Sequence, residues 1–380
     1  MKPIVVLGSG LAGYTLVREL RKLDGDIPIT LVTKDSGDYY SKPTLSNAFA
    51  QNKEPGSLVL TPAKTMAEQQ KFILLANTEV RAIHRAEKKL DTTACVIEYE
   101  KLVLAMGADP IRIPLQGDAA NEVLSVNDLS DYARFRERLK DAESVAIMGG
   151  GLIGCEFAND LAHAGYKVSV IDPGPYPIAG LLPEEAGRQL LEPLQNIGVS
   201  WHFGKAAQRV DRSGQSFQLT LTDQTVISAD VVLSAVGLRP RIQLAKDAGL
   251  SVNRGISVDE RLQTSDEAIF ALGDCAEING QTMPYVLPIM HAARALSKTL
   301  GGSDAKAVFP YMPVVVKTPA HPIAVLPVPR DAPGSWKILE QGPGIKMGFF
   351  NPQDEMVGFA LTGEYAKERN EMTARCAAKT

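Results

Sequence analysis

Cysteine is scarce. The 380 residues hold only Cys95, Cys155, Cys275 and Cys376, too far apart to form a CxxC pair or a zinc-type cluster. That spacing argues against a disulfide-stapled or zinc-built fold and fits a reducing setting. A large charge of one sign is also missing: the formal net charge of −4 gives no global field for nucleic acid or an anionic membrane. Any charged docking surface must therefore be local. No apolar run reaches membrane-spanning length, and MKPIVVLGSG enters a strand pattern at once, without the charged and apolar regions of a leader. A cytoplasmic location is expected, with neither nucleic acid nor membrane as partner. What is present is an ordinary globular composition, 45% hydrophobic and 22% charged, with 32 Gly and 24 Pro that predict many tight turns. The length predicts two or three domains.

The first informative motif follows the buried-strand run Ile4 to Leu7. GSGLAG comes next, then a helical pattern with Leu16, Leu20 and Leu23 on one side. Gly8 permits a tight turn, Gly10 lets backbone N–H groups approach a pyrophosphate, and Gly13 lets helix and strand pack closely. The helix N-terminus then faces the phosphates. A lone GxGxxG is equally compatible with a glycine-rich turn, so its context matters. Ile29 to Val32 supplies a second strand, and Asp35 stands near the distance at which an acid accepts hydrogen bonds from a ribose. Capping a turn is the other reading of Asp35.

The pattern then repeats. Val145 to Met148 is apolar, GGGLIG brings Gly149, Gly151 and Gly154, a helix carries Phe157 and Leu161, and KVSVID ends in Asp172. Two dinucleotides are expected. A carboxylate at Asp172 accepts bonds from a 2′-hydroxyl and repels a 2′-phosphate, and the following Pro-Gly-Pro offers no Arg, which predicts NADH over NADPH.

These motifs resemble those of flavoprotein pyridine-nucleotide oxidoreductases with two dinucleotide-binding domains. LVLAMGADP (102–110) is similar to the family's crossover between FAD and NAD domains, with Met106 in place of the usual Thr. SAVGLRP (234–240), with Gly237 as an NAD residue, is similar to the return crossover, and LQTSDEAIFALGDCAE (262–277) to the second FAD signature. The resemblance implies an α/β fold with two Rossmann-like domains, for FAD (1–107 and 235–303) and NAD (108–234), plus a small α+β C-terminal interface domain (304–380). In that last piece Val314 to Val316, WKILEQ, IKMGFF and MVGFALTG read as strands, with turns at Gly342 to Gly344 and Asn351 to Asp354, and prolines confine the rest of 309–329 to edges and turns.

Disulfide reductases of this superfamily carry a redox cysteine pair after the second strand, and related peroxidases and oxidases a single cysteine. Here that neighbourhood reads YYSKPTLS, and by resemblance Lys42 stands about where the single cysteine would be. A thiol relay loses its nucleophile. Cys155 and Cys275 read as small hydrophobes. Electrons should pass from NADH to flavin and on to an outside one-electron acceptor.

DYYSKPTLSNAF, LIGCEFANDL, LGDCAEINGQTMPYVLPIM and VVVKTPAHP resemble the rubredoxin-NAD(+) reductase branch, which implies rubredoxin as acceptor and, downstream of it, either alkane degradation or oxidative-stress defence. A ferredoxin reductase of an oxygenase system, or an NADH oxidase or peroxidase, is the alternative. The resemblance places FAD contacts on Ser9, Leu11 and Ala12 of the glycine turn, on Lys34 with Asp35, and on Lys42, Val80, Glu156, Asp274, Val286 and Lys317. Lys42, Glu156 and Lys317 are implied to be catalytic, the two lysines favouring the reduced, anionic flavin and Glu156 holding Lys42 in place. From the residues alone, Glu156 is also explained as a carboxylate in a helix's first turn, and Lys317 as a solvated edge-strand residue.

Overall fold

A computed structural model describes residues 2–329 and 331–376, and the chain falls into two compact units. The first comprises residues 1–42, 56–109 and 238–309, and the second 43–55, 110–237 and 310–380.

In the first unit the apolar runs become a five-stranded parallel sheet, ordered Ile269–Ala271, Lys101–Leu104, Ile4–Leu7, Ile29–Val32 and Ile73–Leu75. Ile4–Leu7 sits at its centre with all four residues buried, as a strand covered on both faces must be. The first glycine helix, Leu11–Leu23, buries Tyr14, Leu16, Val17 and Leu20 and packs against the helix Val286–Leu300. Leu23, expected on the buried side, is 52% exposed at the helix end.

The second unit repeats the design with a four-stranded parallel sheet: Val199–Phe203, Lys167–Asp172, Ser144–Met148 and Val231–Ser234. In both sheets the strand before the glycine turn is interior, and the next strand lies beside it, which is the half-Rossmann order. The second glycine helix, Leu152–His163, is buried from Gly154 to Ala162.

Residues 314–362 of the second unit form a five-stranded antiparallel sheet ordered Val314–Val316, Ile323–Leu326, Met356–Thr362, Gly344–Phe350 and Ser335–Gly342. Both expected turns are present, and the Asp354 N–H donates to the Asn351 carbonyl at 3.0 Å. One expectation fails. Ile323–Leu326 lies between Pro322 and Pro327, yet it is an interior, fully buried strand paired on both sides. Both prolines fall just outside the four residues whose N–H groups the ladder needs, so they bound the strand without breaking it. After the sheet comes the helix Arg369–Arg375, anchored by buried Met372.

Candidate functional site

The two glycine turns are built alike. Gly8 has φ +115°, and a Cβ there would lie 2.3 Å from the Ala105 carbonyl oxygen; one on Gly13 would lie 2.0 Å from the Gly8 carbonyl oxygen. Gly149 has φ +107° with a Cβ position 2.6 Å from the Ala235 oxygen, and Gly154 repeats the close approach at 1.9 Å from the Gly149 oxygen. Only glycine fits these four positions. The middle glycines differ: a Cβ on Gly10 or Gly151 would meet nothing within 4 Å. Each is the N-cap of its helix, with no side chain capping it. Open space over uncapped backbone N–H groups fits a pyrophosphate in both turns.

In the first unit, Gly273 has φ +80° and a Cβ there would lie 2.9 Å from that of Ala12, so the turn carrying Asp274 abuts the start of the first glycine helix. Burial pushes the Asp274 carboxyl up, against the opposing pull of Lys42 and Arg241. Lys42, Lys34 and Arg241 also hold the Asp109 carboxyl below its usual range, Arg241 most strongly, through an ion pair of 2.5 Å. Asp35 accepts hydrogen bonds at Oδ1 from Ser9 Oγ (2.9 Å), Thr33 Oγ1 (2.7 Å) and the Gly37 N–H (3.0 Å). It therefore caps a turn and ties that turn to the glycine loop, while Oδ2 accepts no hydrogen bond from the described residues. Lys34 is exposed beside it. The backbone of Asn77, three residues before half-buried Val80, donates to the Asp35 carbonyl at 2.9 Å. Leu11 is half-buried in the first turn of its helix, and Val286 opens the helix Val286–Leu300 with 39% of its surface exposed.

In the second unit, Asp172 accepts from the Gly150 N–H at Oδ2 (2.5 Å) and the Gly174 N–H at Oδ1 (2.6 Å). Its carboxylate thus stands against the glycine turn. Gly237, with φ +115°, accepts at its carbonyl from the Ile111 N–H at 3.0 Å.

Glu156 is 1% exposed on the second glycine helix. Its Oε1 accepts from the Lys317 backbone N–H at 2.8 Å, and its Oε2 from Ser46 Oγ at 2.5 Å and Lys317 Nζ at 2.7 Å. Lys317 is therefore no solvated edge residue; its ammonium also reaches the Pro43 carbonyl and, at 3.1 Å, Ser46 Oγ. Lys42, which opens the short 3₁₀ helix Lys42–Asn47, falls in the first unit, whereas Glu156 and Lys317 fall in the second.

Three polar residues that sequence reasoning passed over belong beside this ion pair. Ser46, Asn159 and Asp160 are all buried. The signal was legible: in LIGCEFAND, Glu156, Asn159 and Asp160 recur at i, i+3 and i+4 on an otherwise apolar helix, and buried polar groups need partners.

Cys155 and Cys275 offer little chemistry. Cys155 and Cys275 are fully buried; Cys155 Sγ donates to the Gly150 carbonyl and Cys275 Sγ to that of Leu104, each at 3.3 Å. Burial pushes both thiols up, Cys275 to about 11. Among the described residues no group of His, Cys, Asp and Glu could hold a metal ion, and no helix is long and apolar enough to cross a membrane.

Residues 2–297 match the family described as pyridine nucleotide-disulphide oxidoreductase, and residues 306–376 match one described as rubredoxin binding C-terminal domain. The chain is 45% identical over 370 residues to a rubredoxin-NAD(+) reductase of Alcanivorax borkumensis, covering 97% of each chain. It is 37% identical to a nitric oxide reductase FlRd-NAD(+) reductase of Vibrio vulnificus, covering 96% of each. Among solved structures it resembles a ferredoxin reductase from Rhodopseudomonas palustris with a TM-score of 0.89 at 25% identity, covering 100% of this chain and 96% of that one. The α/β fold with paired dinucleotide turns is that of these proteins. The chain belongs to the pyridine nucleotide-disulphide oxidoreductase family, as an oxidoreductase that uses FAD and NADH.

Proposed function

We propose that the protein passes electrons from NADH through bound FAD to rubredoxin, as a rubredoxin-NAD(+) reductase. The observation that carries this reading is the C-terminal match to a rubredoxin-binding domain, on the segment that builds the five-stranded antiparallel sheet. The 45% identical relative of that name supports it along nearly the whole chain.

Residues 1–107 with 235–303 form the FAD domain, 108–234 the NAD domain, and 304–380 the domain that meets the carrier. FAD, when bound, supplies hydride acceptance and the release of single electrons. The turn from Gly8 to Gly13 binds its pyrophosphate through N–H groups at the helix N-terminus, and Asp35 offers Oδ2 to the ribose. Lys34, Val80 and Asp274 hold the dinucleotide, and Val286 brings a helix N-terminus to the flavin ring. Gly149, Gly151, Gly154 and Gly237 hold NADH, and Asp172 selects it over NADPH. Lys42 and Lys317 supply positive charge where negative charge develops, and Glu156 holds Lys317 in place. The enzyme acts in the cytoplasm.

A ferredoxin reductase is the second reading, favoured by the similarity in fold to the Rhodopseudomonas protein. Oxidase or peroxidase chemistry through a cysteine is opposed by the burial and raised pKa of Cys155 and Cys275. Turnover of NADH with rubredoxin and with ferredoxin, measured side by side, separates the readings. Faster rubredoxin reduction is expected, and faster ferredoxin reduction would overturn the assignment.

A further inference from the structure

The second glycine helix carries a polar face whose far end binds backbone amides. Asp160 is 3% exposed and accepts from the backbone N–H groups of Phe49 at 2.7 Å and Ala50 at 3.2 Å. Asn159, equally buried, accepts at Oδ1 from the Ala320 N–H at 3.1 Å. One turn earlier, Glu156 takes the Lys317 N–H and the Ser46 hydroxyl. Two chain segments are thus each held at two points by a single helix: residues 46–50 through Ser46 and the Phe49–Ala50 amides, and residues 317–320 through Lys317 and Ala320.

A carboxylate at position 160 is costly. It lies in the last turn of Leu152–His163, where the helix dipole disfavours negative charge, and four residues from another carboxylate on the same face. Burial pushes its carboxyl up, against the two amides, His163 and Lys317. The two amides use one oxygen each, Phe49 at Oδ2 and Ala50 at Oδ1, so a carboxamide here would turn an NH2 donor toward one of two N–H donors. The result of this anchoring is visible at Lys317. Its three ammonium N–H donors face three acceptors, Pro43 O, Ser46 Oγ and Glu156 Oε2. One of the three, Ser46, belongs to the segment 46–50 that Asp160 holds at its other end, and Pro43 precedes it in the same short 3₁₀ helix.

We propose that Asp160, Asn159 and Ser46 are positioning residues that hold the Lys317 ammonium in one place against Glu156. The proposal rests on the reading that Lys317 serves the electron-transfer site, and the test keeps the two apart. Trace acetic anhydride labelling, read by peptide mass spectrometry in FAD-free and FAD-loaded protein, compares Lys317 with exposed Lys64 in the same molecule. In the parent protein Lys317 is expected to label more slowly than Lys64. Asp160→Asn, Asn159→Leu and Ser46→Ala should each raise Lys317 labelling several-fold with Lys64 unchanged, and Ser46→Thr, which keeps the hydroxyl, should restore protection. Unchanged Lys317 labelling in folded Asp160→Asn and Ser46→Ala would overturn the proposal, as would a rise shared equally by all lysines. The flavin midpoint potential of the loaded variants separates the underlying reading: selective Lys317 labelling with an unmoved potential upholds the positioning role and removes Lys317 from the flavin.

Discussion

Lys42 and Asp172 carry the most specific of the proposed roles at single positions. Lys42→Met is expected to retain FAD but lower the flavin potential and slow reduction by NADH. A unit charge at 4 Å contributes about 4 kcal/mol at an effective dielectric near 20, before desolvation offsets part of it. Anaerobic rapid mixing checks this, and an unchanged reduction rate would return Lys42 to a structural role. Asp172 should give a higher kcat/KM with NADH than with NADPH, and a preference for NADPH would refute the assignment. His321 makes a different test, of stability. Its Nε2 is buried without a hydrogen-bond partner among the described residues, and burial holds the imidazolium below its usual pKa. The folded state refuses a proton that the unfolded chain accepts near about 6.5. Stability is therefore fully present above that pH and is lost as pH falls through the lower folded value. Denaturation midpoints should fall between neutral and mildly acidic pH, and His321→Leu should flatten that slope. An equal slope in both proteins would show that another group titrates.

The glycine turns show at the scale of one element what sequence can and cannot reveal. Strand, turn and helix were legible because each glycine has a separate steric duty, and the structure sorts those duties by distance. Gly154→Ala forces a Cβ against the Gly149 carbonyl at 1.9 Å, so the helix must move and several kcal/mol are lost, on the order of an overpacked core. Gly151→Ala has open space and should cost at most about 1 kcal/mol as a poorer N-cap, yet crowd the pyrophosphate and weaken NADH binding. Thermal unfolding and NADH titration together distinguish the two; equal losses of stability would contradict the sorting. The polar face of the second glycine helix was less legible. Glu156 was picked out by resemblance, while Asn159 and Asp160 bind amides more than a hundred residues away, and no local pattern names such partners. The strand Ile323–Leu326 is not legible from its flanking prolines, because proline bars only positions whose N–H the ladder uses.

For the whole molecule, composition and motif order carried far. The repeated strand, glycine turn, helix and acid announced two dinucleotide turns, and the resemblance, with Lys42 where relatives keep a cysteine, implied an electron route without a thiol. Partner identity was not written in any physical pattern of the sequence; it came from resemblance and from the C-terminal match. The central claim is that electrons leave bound FAD directly for the carrier, and a cysteine-free variant tests it most directly. Cys95→Ser, Cys155→Ala, Cys275→Ala and Cys376→Ala would be combined, and NADH-driven rubredoxin reduction measured per bound FAD. A rate close to that of the parent is expected. A loss of about tenfold or more with FAD retained, equivalent to ~1.4 kcal/mol in the barrier, would contradict the direct route.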